Sequence, residues 1–133
     1  MTMSKTRKSQ QSLKGKYTLL NPEKYTGNPK KIVFRSMWER KFMLYCDKTP
    51  EVLEWSSEEI VIPYYFNEKD RNYYPDFYIK FIKDDDTVEE SVIEIKPYYQ
   101  RTYEQNKAKW RFAEEYCKKH NYTFKILTER ELF

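Results

Sequence analysis

Two short runs hold the residue types from which metal-assisted phosphoester chemistry can be built. They are YYPDFYIKF, with Asp76 directly after Pro75, and SVIEIKP, with Glu94 and Lys96. Side chains alternate between the two faces of a β-strand. A strand through SVIEIKP therefore sets Glu94 and Lys96 side by side on one face, with Ile93 and Ile95 on the other. If the strand holding Asp76 pairs with it across the acidic turn 84–86, Asp76 comes near Glu94. Two close carboxylates repel and raise each other's pKa unless a cation sits between them. Hard oxygen ligands with water positions left open suit Mg²⁺, with Mn²⁺ able to stand in. Such an ion can polarise a phosphodiester oxygen and lower the pKa of a bound water. Lys96 would orient that water or offset charge on the pentavalent phosphorus.

Plainer roles exist for the same residues. Asp76 could cap a turn after Pro75, and Glu94–Lys96 could be a solvated strand pair worth under ~1 kcal/mol. The spacing alone is loose in a chain that is 35% charged. Glu39 adds to the set. It shares a helix face with Phe42, Met43 and Cys46, which draws it toward a sheet rather than water. It also stands three residues after Ser36, the spacing of a capping box; the two roles are compatible. His120, the single histidine, follows two lysines and has no partner for a triad or a zinc site, so its place is a helix end. With two glycines in the chain, Gly15 and Gly27, no phosphate-cradling loop is available and no nucleotide cofactor is expected.

These groups need elements to hold them. Residues 36–47 form an amphipathic helix with Trp38, Phe42, Tyr45 and Cys46 on its apolar stripe, and 51–56 read as a turn or short helical piece. Strands are expected at 59–66, 73–82 and 87–97, joined by a polar turn at 67–72 and the acidic turn at 84–86, as an antiparallel meander. A charge-laced helix spans 103–120, with Trp110, Ala113 and Cys117 on its buried side and Asn121 as its stop. A strand at 122–127 and a short helix at 128–133 end the chain. The order α-β-β-β-α-β implies an α/β fold, a mixed four-stranded sheet flanked by helices.

The 133 residues suit one domain with one core. Aromatic residues make up 18% of the chain, so that core should be rich in rings. Cys46 and Cys117 lie in different helices among apolar neighbours and read as reduced core thiols. No apolar run approaches the ~20 residues of a membrane span. The N-terminus lacks the apolar stretch of a signal peptide, so the chain is expected to stay where it is made. Residues 1–31 carry eight Lys or Arg against Glu23, a charge of +7, and the remainder carries −3. Residues 1–16 thus read as a disordered basic arm, and 17–133 as the folded domain with an irregular strap at 17–35. Lys5, Arg7, Lys8, Lys14 and Lys16 would meet DNA phosphates, although a merely solvated tail fits the composition equally.

Taken together, these stretches resemble the PD-(D/E)xK nuclease superfamily, whose core is αβββαβ and restriction-endonuclease-like. More narrowly, GKYTLLNPEKYTGNP, FRSMWERKFMLYCD, WSSEEIVIPY, YYPDFYIK, IEIKP and NKAKWRFAEEYCKKHNYTFKILTEREL are similar to the head-completion nucleases of T-even-like tailed bacteriophages, over roughly residues 15–132. A shorter similarity, to the nuclease subunit of Tn7-like transposons, spans the same strands and the KAKW helix. The resemblance implies an endodeoxyribonuclease in which Asp76, Glu94 and the main-chain carbonyl of Ile95 bind Mg²⁺, Lys96 is the catalytic lysine, and Glu39 meets the metal directly or through water. It also implies that Lys107 and Lys109 face DNA, and it implies work in the cytoplasm of an infected bacterium, with portal or neck proteins as partners and a place in the virion as further expectations. One departure is the sparse loop after Lys96, PYYQRTYEQ. Two other readings stay open: a portal-binding structural protein without activity, and a transposon-end or repair nuclease.

Overall fold

The computed structural model describes residues 14–132. The folded body opens two residues earlier than expected. Strand β1 (Gly15–Lys16) pairs with β2 (Val33–Phe34), so residues 15 and 16 belong to the domain rather than to an arm. Lys5, Arg7 and Lys8, and the rest of the expected arm through residue 13, lie outside the described residues.

Between these two strands the chain forms a strap held by one helix end. Helix α1 (Met37–Lys48) starts at Ser36, whose Oγ accepts the Glu39 N–H at 3.2 Å. Its far end is built around Asp47, which is fully buried. The Asp47 carboxylate accepts the Tyr17 hydroxyl at 2.7 Å and the N–H groups of Leu20 and Asn21 at 2.7 and 2.9 Å. Lys24 Nζ donates to the carbonyls of Cys46 and Thr49, both at 2.7 Å, satisfying acceptors that a helix leaves open at its C-terminus.

The central sheet has four strands in the order β3 (Val52–Ser57), β6 (Phe77–Ile82), β7 (Val88–Ile95), β8 (Thr123–Leu127). The first three run antiparallel, and β8 lies parallel to β7 after a crossover through helix α2 (Glu104–His120). Strands β4 (Ile62–Phe66) and β5 (Lys69–Tyr73) form a separate hairpin. One sheet face packs Trp55, Phe77, Ile79, Ile93 and Ile95 against Phe42, Met43 and Cys46 of α1. The other covers Phe124 and Ile126 with Trp110 and Ala113 of α2 and Ile62, Tyr64 and Tyr73 of the hairpin. A short helix α3 (Glu129–Leu132) ends the described chain. Among the described residues, no helix is long and apolar enough to cross a membrane.

The αβββαβ core is the expected one, but its first strand is not. The segment 51–56, read as a turn or helical piece, supplies edge strand β3, and the expected strand at 59–66 belongs to the hairpin outside the sheet. A register shift between Val52 and Glu54 explains the difference. This bulge puts buried Val52 and Trp55 three residues apart, which imitates helical spacing. The expected turn 67–72 contracts to Asn67–Glu68, both with positive φ, as a two-residue hairpin turn requires. The expected strand 73–82 is two pieces: Tyr73 closes β5, and β6 begins only at Phe77, after Pro75.

The helix ends follow local chemistry. Asn121 ends α2 at φ 62°. His120 stacks on Tyr116 with ring centroids 4.1 Å apart and bonds the Tyr116 carbonyl through Nδ1, a helix-end role. Cys46 and Cys117 are free and buried. Burial pushes both thiols up, Cys117 to about 11, which keeps them protonated and unreactive.

Candidate active site

The site lies where three strands end in register. Ser57 faces Phe77 across β3–β6, and Phe77 faces Ile93 across β6–β7. One step further, Glu58, Asp76 and Glu94 stand in a row. The ladder bonds here are made partly by side chains. The Glu58 N–H donates to the Asp76 carbonyl at 3.1 Å, while the Ile95 N–H donates to Asp76 Oδ2 at 2.7 Å. The same register sets Pro75 opposite Ile95. Proline has no N–H to offer, and in an antiparallel ladder a residue's N–H and C=O point to the same side. The Ile95 carbonyl is thus aimed to the side of Asp76 without a strand partner from Pro75.

Glu94 is 3% exposed and its Oε1 has no hydrogen-bond partner; Oε2 lies 3.4 Å from Lys96 Nζ. Lys96 and Glu94 therefore share a face, as alternation required. Glu39 enters from α1. Its Oε1 accepts the Arg35 N–H at 3.1 Å, one residue before the cap, so the capping box is closed one position early. Arg35 forks onto Glu58, with Nε at 3.0 Å from Oε2 and Nη2 at 3.1 Å from Oε1. Glu58 has a φ of 55°, a conformation uncommon for a residue with a side chain.

The electrostatics show that these groups sense one another. Lost hydration raises the Asp76 pKa well above the usual carboxylate range, and the charges of Glu94 and Glu39 raise it further; the Ile95 N–H and Lys96 pull it back. Glu39 is raised mainly by burial, with the Arg35 N–H opposing, and then by Glu58 and Glu94. Tyr73, at the end of β5, has its hydroxyl pushed up by burial first and by Glu94 next. Four carboxylates thus face two cationic side chains, an imbalance that favours a bound cation.

The donor set fits a hard divalent ion. Glu94 Oε1 is a buried acceptor with no hydrogen-bond partner, and the nearby Tyr73 hydroxyl is also unpartnered. Asp76 stands beside Glu94, and the Ile95 carbonyl is directed there. Among the described residues, no three His, Cys, Asp or Glu side chains are already arranged as a metal cage.

The sequence model described as TnsA-like endonuclease N terminal matches residues 49–129. The chain belongs to the TnsA-like endonuclease family. It is also 36% identical to a head completion nuclease of Enterobacteria phage T4 over 139 aligned residues, covering 86% of this chain and 90% of that protein. The TnsA-like match runs from just before β3 to the start of α3, so it includes Asp76, Glu94 and Lys96 but not α1 with Glu39.

Within this TnsA-like domain the other expected contacts separate. Lys109 lies with Nζ 5.6 Å from the centroid of the Tyr73 ring, on the flank of the site. Lys107 is exposed and pairs with Glu104 at 3.8 Å. Two residues apart on a helix, the lysines face different directions. Lys14 and Lys16 are exposed, the first just before β1 and the second at its end. Arg35, Glu58 and Tyr73 were not expected in the site. Tyr73 had a signal, three residues before Asp76 in YYPD. Arg35 and Glu58 had none, because their pairing spans 23 residues of chain.

Proposed function

We propose that this chain is a Mg²⁺-dependent DNA endonuclease that hydrolyses phosphodiester bonds, acting in phage head completion after DNA packaging. The observation that carries this reading is the contact of Asp76 with the Ile95 N–H beside the unpartnered Oε1 of Glu94. The head-completion context rests on the T4 relative.

Asp76, Glu94 and the Ile95 carbonyl would hold the ion, with Glu39 a direct or water-mediated partner. When bound, the divalent cation supplies Lewis-acid polarisation of the phosphodiester and acidifies water. Asp76 is oriented for this by the Ile95 N–H, which occupies Oδ2 and fixes the carboxylate plane. Lys96 Nζ, braced by Glu94 Oε2, presents its remaining N–H donors to the attacking water or to charge developing on phosphorus. Glu39 is raised in pKa and sits behind this pair, where it can hold a proton or release it as the local charge changes. The products would be a 5′-phosphate and a 3′-hydroxyl. Supercoiled plasmid incubated with the protein tests the reading. Nicking should need Mg²⁺ or Mn²⁺, stop with EDTA and fall by about 100-fold or more in Lys96→Ala; cutting at the parent's rate in EDTA and in the variant would refute it.

A further inference from the structure

The segment after Lys96 is the part of the chain least accounted for by the site above, and it carries an unusual arrangement. Tyr98 opens a single 3₁₀ stretch (Tyr98–Thr102) between β7 and α2. The guanidinium carbons of Arg101 and Arg130 each lie 3.4 Å from the centroid of the Tyr98 ring. Two guanidiniums cannot share one ring face at that distance, so they sandwich the ring. The sandwich is fixed at its base. The Tyr98 N–H donates to Glu129 Oε1 at 2.8 Å, and Arg101 Nε donates to the Tyr98 carbonyl at 3.1 Å.

Neither arginine forms an ion pair with an Asp or Glu among the described residues. Glu129 is engaged with main chain, and Glu131 is taken up by Thr128. Both arginines are exposed. Stacking on a ring leaves the edge of a guanidinium, with its paired N–H donors, directed outward. Two like charges are thus held on opposite sides of one side chain. Arg130 senses the charge of Glu131, but no carboxylate among the described residues occupies the donors of either guanidinium, which leaves them for an anion to complete. Planar forks of this kind match phosphate oxygens two at a time.

We infer that Arg101, Tyr98 and Arg130 form a clamp for the phosphodiester backbone of the DNA strand next to the scissile bond. The inference rests on the endonuclease reading and adds to it a substrate-binding site. Tyr98 follows Lys96 by two residues, so their Cα atoms are at most about 7 Å apart. Successive phosphates on one strand advance about 3.4 Å along the duplex axis. The clamp therefore engages backbone within a few nucleotides of the atom that Lys96 serves.

The test measures binding of a labelled duplex oligonucleotide to full-length protein as salt is raised from 50 to 200 mM, in an Asp76→Asn background that leaves the DNA uncut. Arg101→Gln with Arg130→Gln should weaken binding and make the plot of log K against log salt shallower by about 1.8, near 0.9 for each phosphate no longer neutralised. Lys118→Gln with Lys119→Gln removes the same charge about 24 Å away along α2, and it should leave the slope unchanged. If the double arginine variant does not fold, each single variant should lower the slope by about 0.9. An unchanged slope in the arginine variants, or an equal drop in the lysine control, overturns the clamp. Absence of DNA binding by the parent itself would instead overturn the endonuclease reading beneath it.

Discussion

Asp76 accepts the main-chain N–H of Ile95 at 2.7 Å, across the open ends of two antiparallel strands. A side-chain oxygen takes the acceptor place that the Pro75 carbonyl would hold in a regular ladder, while the absent Pro75 N–H leaves the Ile95 carbonyl without a donor from that strand. This contact ties the carboxylate to the same residue whose carbonyl would help hold a cation. It gives the proline–aspartate pair a physical meaning beyond a turn.

Replacing Asp76 with Ala should remove cleavage and also orphan the Ile95 N–H, which costs about 1–3 kcal/mol of stability. Asp76→Asn keeps an acceptor there and separates the two effects. We expect plasmid nicking to be lost in both variants, with a lowered melting temperature in the alanine variant alone.

Asp76→Asn should also change the pH dependence of stability. Asp76 is raised well above its ordinary value of 3.8 in the folded protein. Folding therefore favours the protonated form, and stability from this group declines as pH rises from about that value through the raised one. Glu39 acts in the same direction from 4.5 upward. In EDTA, the melting temperature of the asparagine variant minus that of the parent should grow between pH 4 and pH 8. A difference that stays flat or shrinks would contradict the placement of Asp76 among like charges.

Lys96→Ala should lower the cleavage rate by about 100-fold or more, the usual loss for one donor at a developing charge. It also leaves Glu94, 3% exposed, without its ion-pair partner. The metal-free variant should melt lower than the parent, and saturating Mg²⁺ should recover part of the gap. Scanning calorimetry with and without EDTA measures both.

Glu39→Gln keeps size and hydrogen-bonding capacity but removes a negative charge behind the site. The Mg²⁺ concentration giving half-maximal rate should rise about 10–100-fold, as for other groups that tune a metal from behind its ligands. A changed maximal rate with an unchanged Mg²⁺ requirement would place Glu39 outside the metal's reach.

Asp47→Ala tests the strap far from the chemistry. It removes the acceptor shared by the Tyr17 hydroxyl and the N–H groups of Leu20 and Asn21. A loss of about 1–3 kcal/mol is expected, set mainly by the orphaned buried Tyr17 hydroxyl, since the Leu20 and Asn21 N–H groups are only partly buried and can turn to water. Urea denaturation reads the stability, and early proteolytic cleavage within residues 17–31 would report a released strap.

Much of this was legible along the chain because it depends on neighbours a few residues apart. Alternation in SVIEIKP puts Glu94 beside Lys96, an apolar stripe defines each long helix, and Ser36 and Asn121 mark helix ends. What only the folded chain decided depends on pairing between distant segments. A bulge after Val52 disguises β3 as helical spacing and hides the true edge strand, and no local pattern takes the hairpin Ile62–Tyr73 out of the sheet. The Arg35–Glu58 fork, the Asp47 anchor and the Arg101–Tyr98–Arg130 stack each join residues that no local period connects. Their geometry is set by strand register and by which helix end meets which loop, quantities fixed when the core closes.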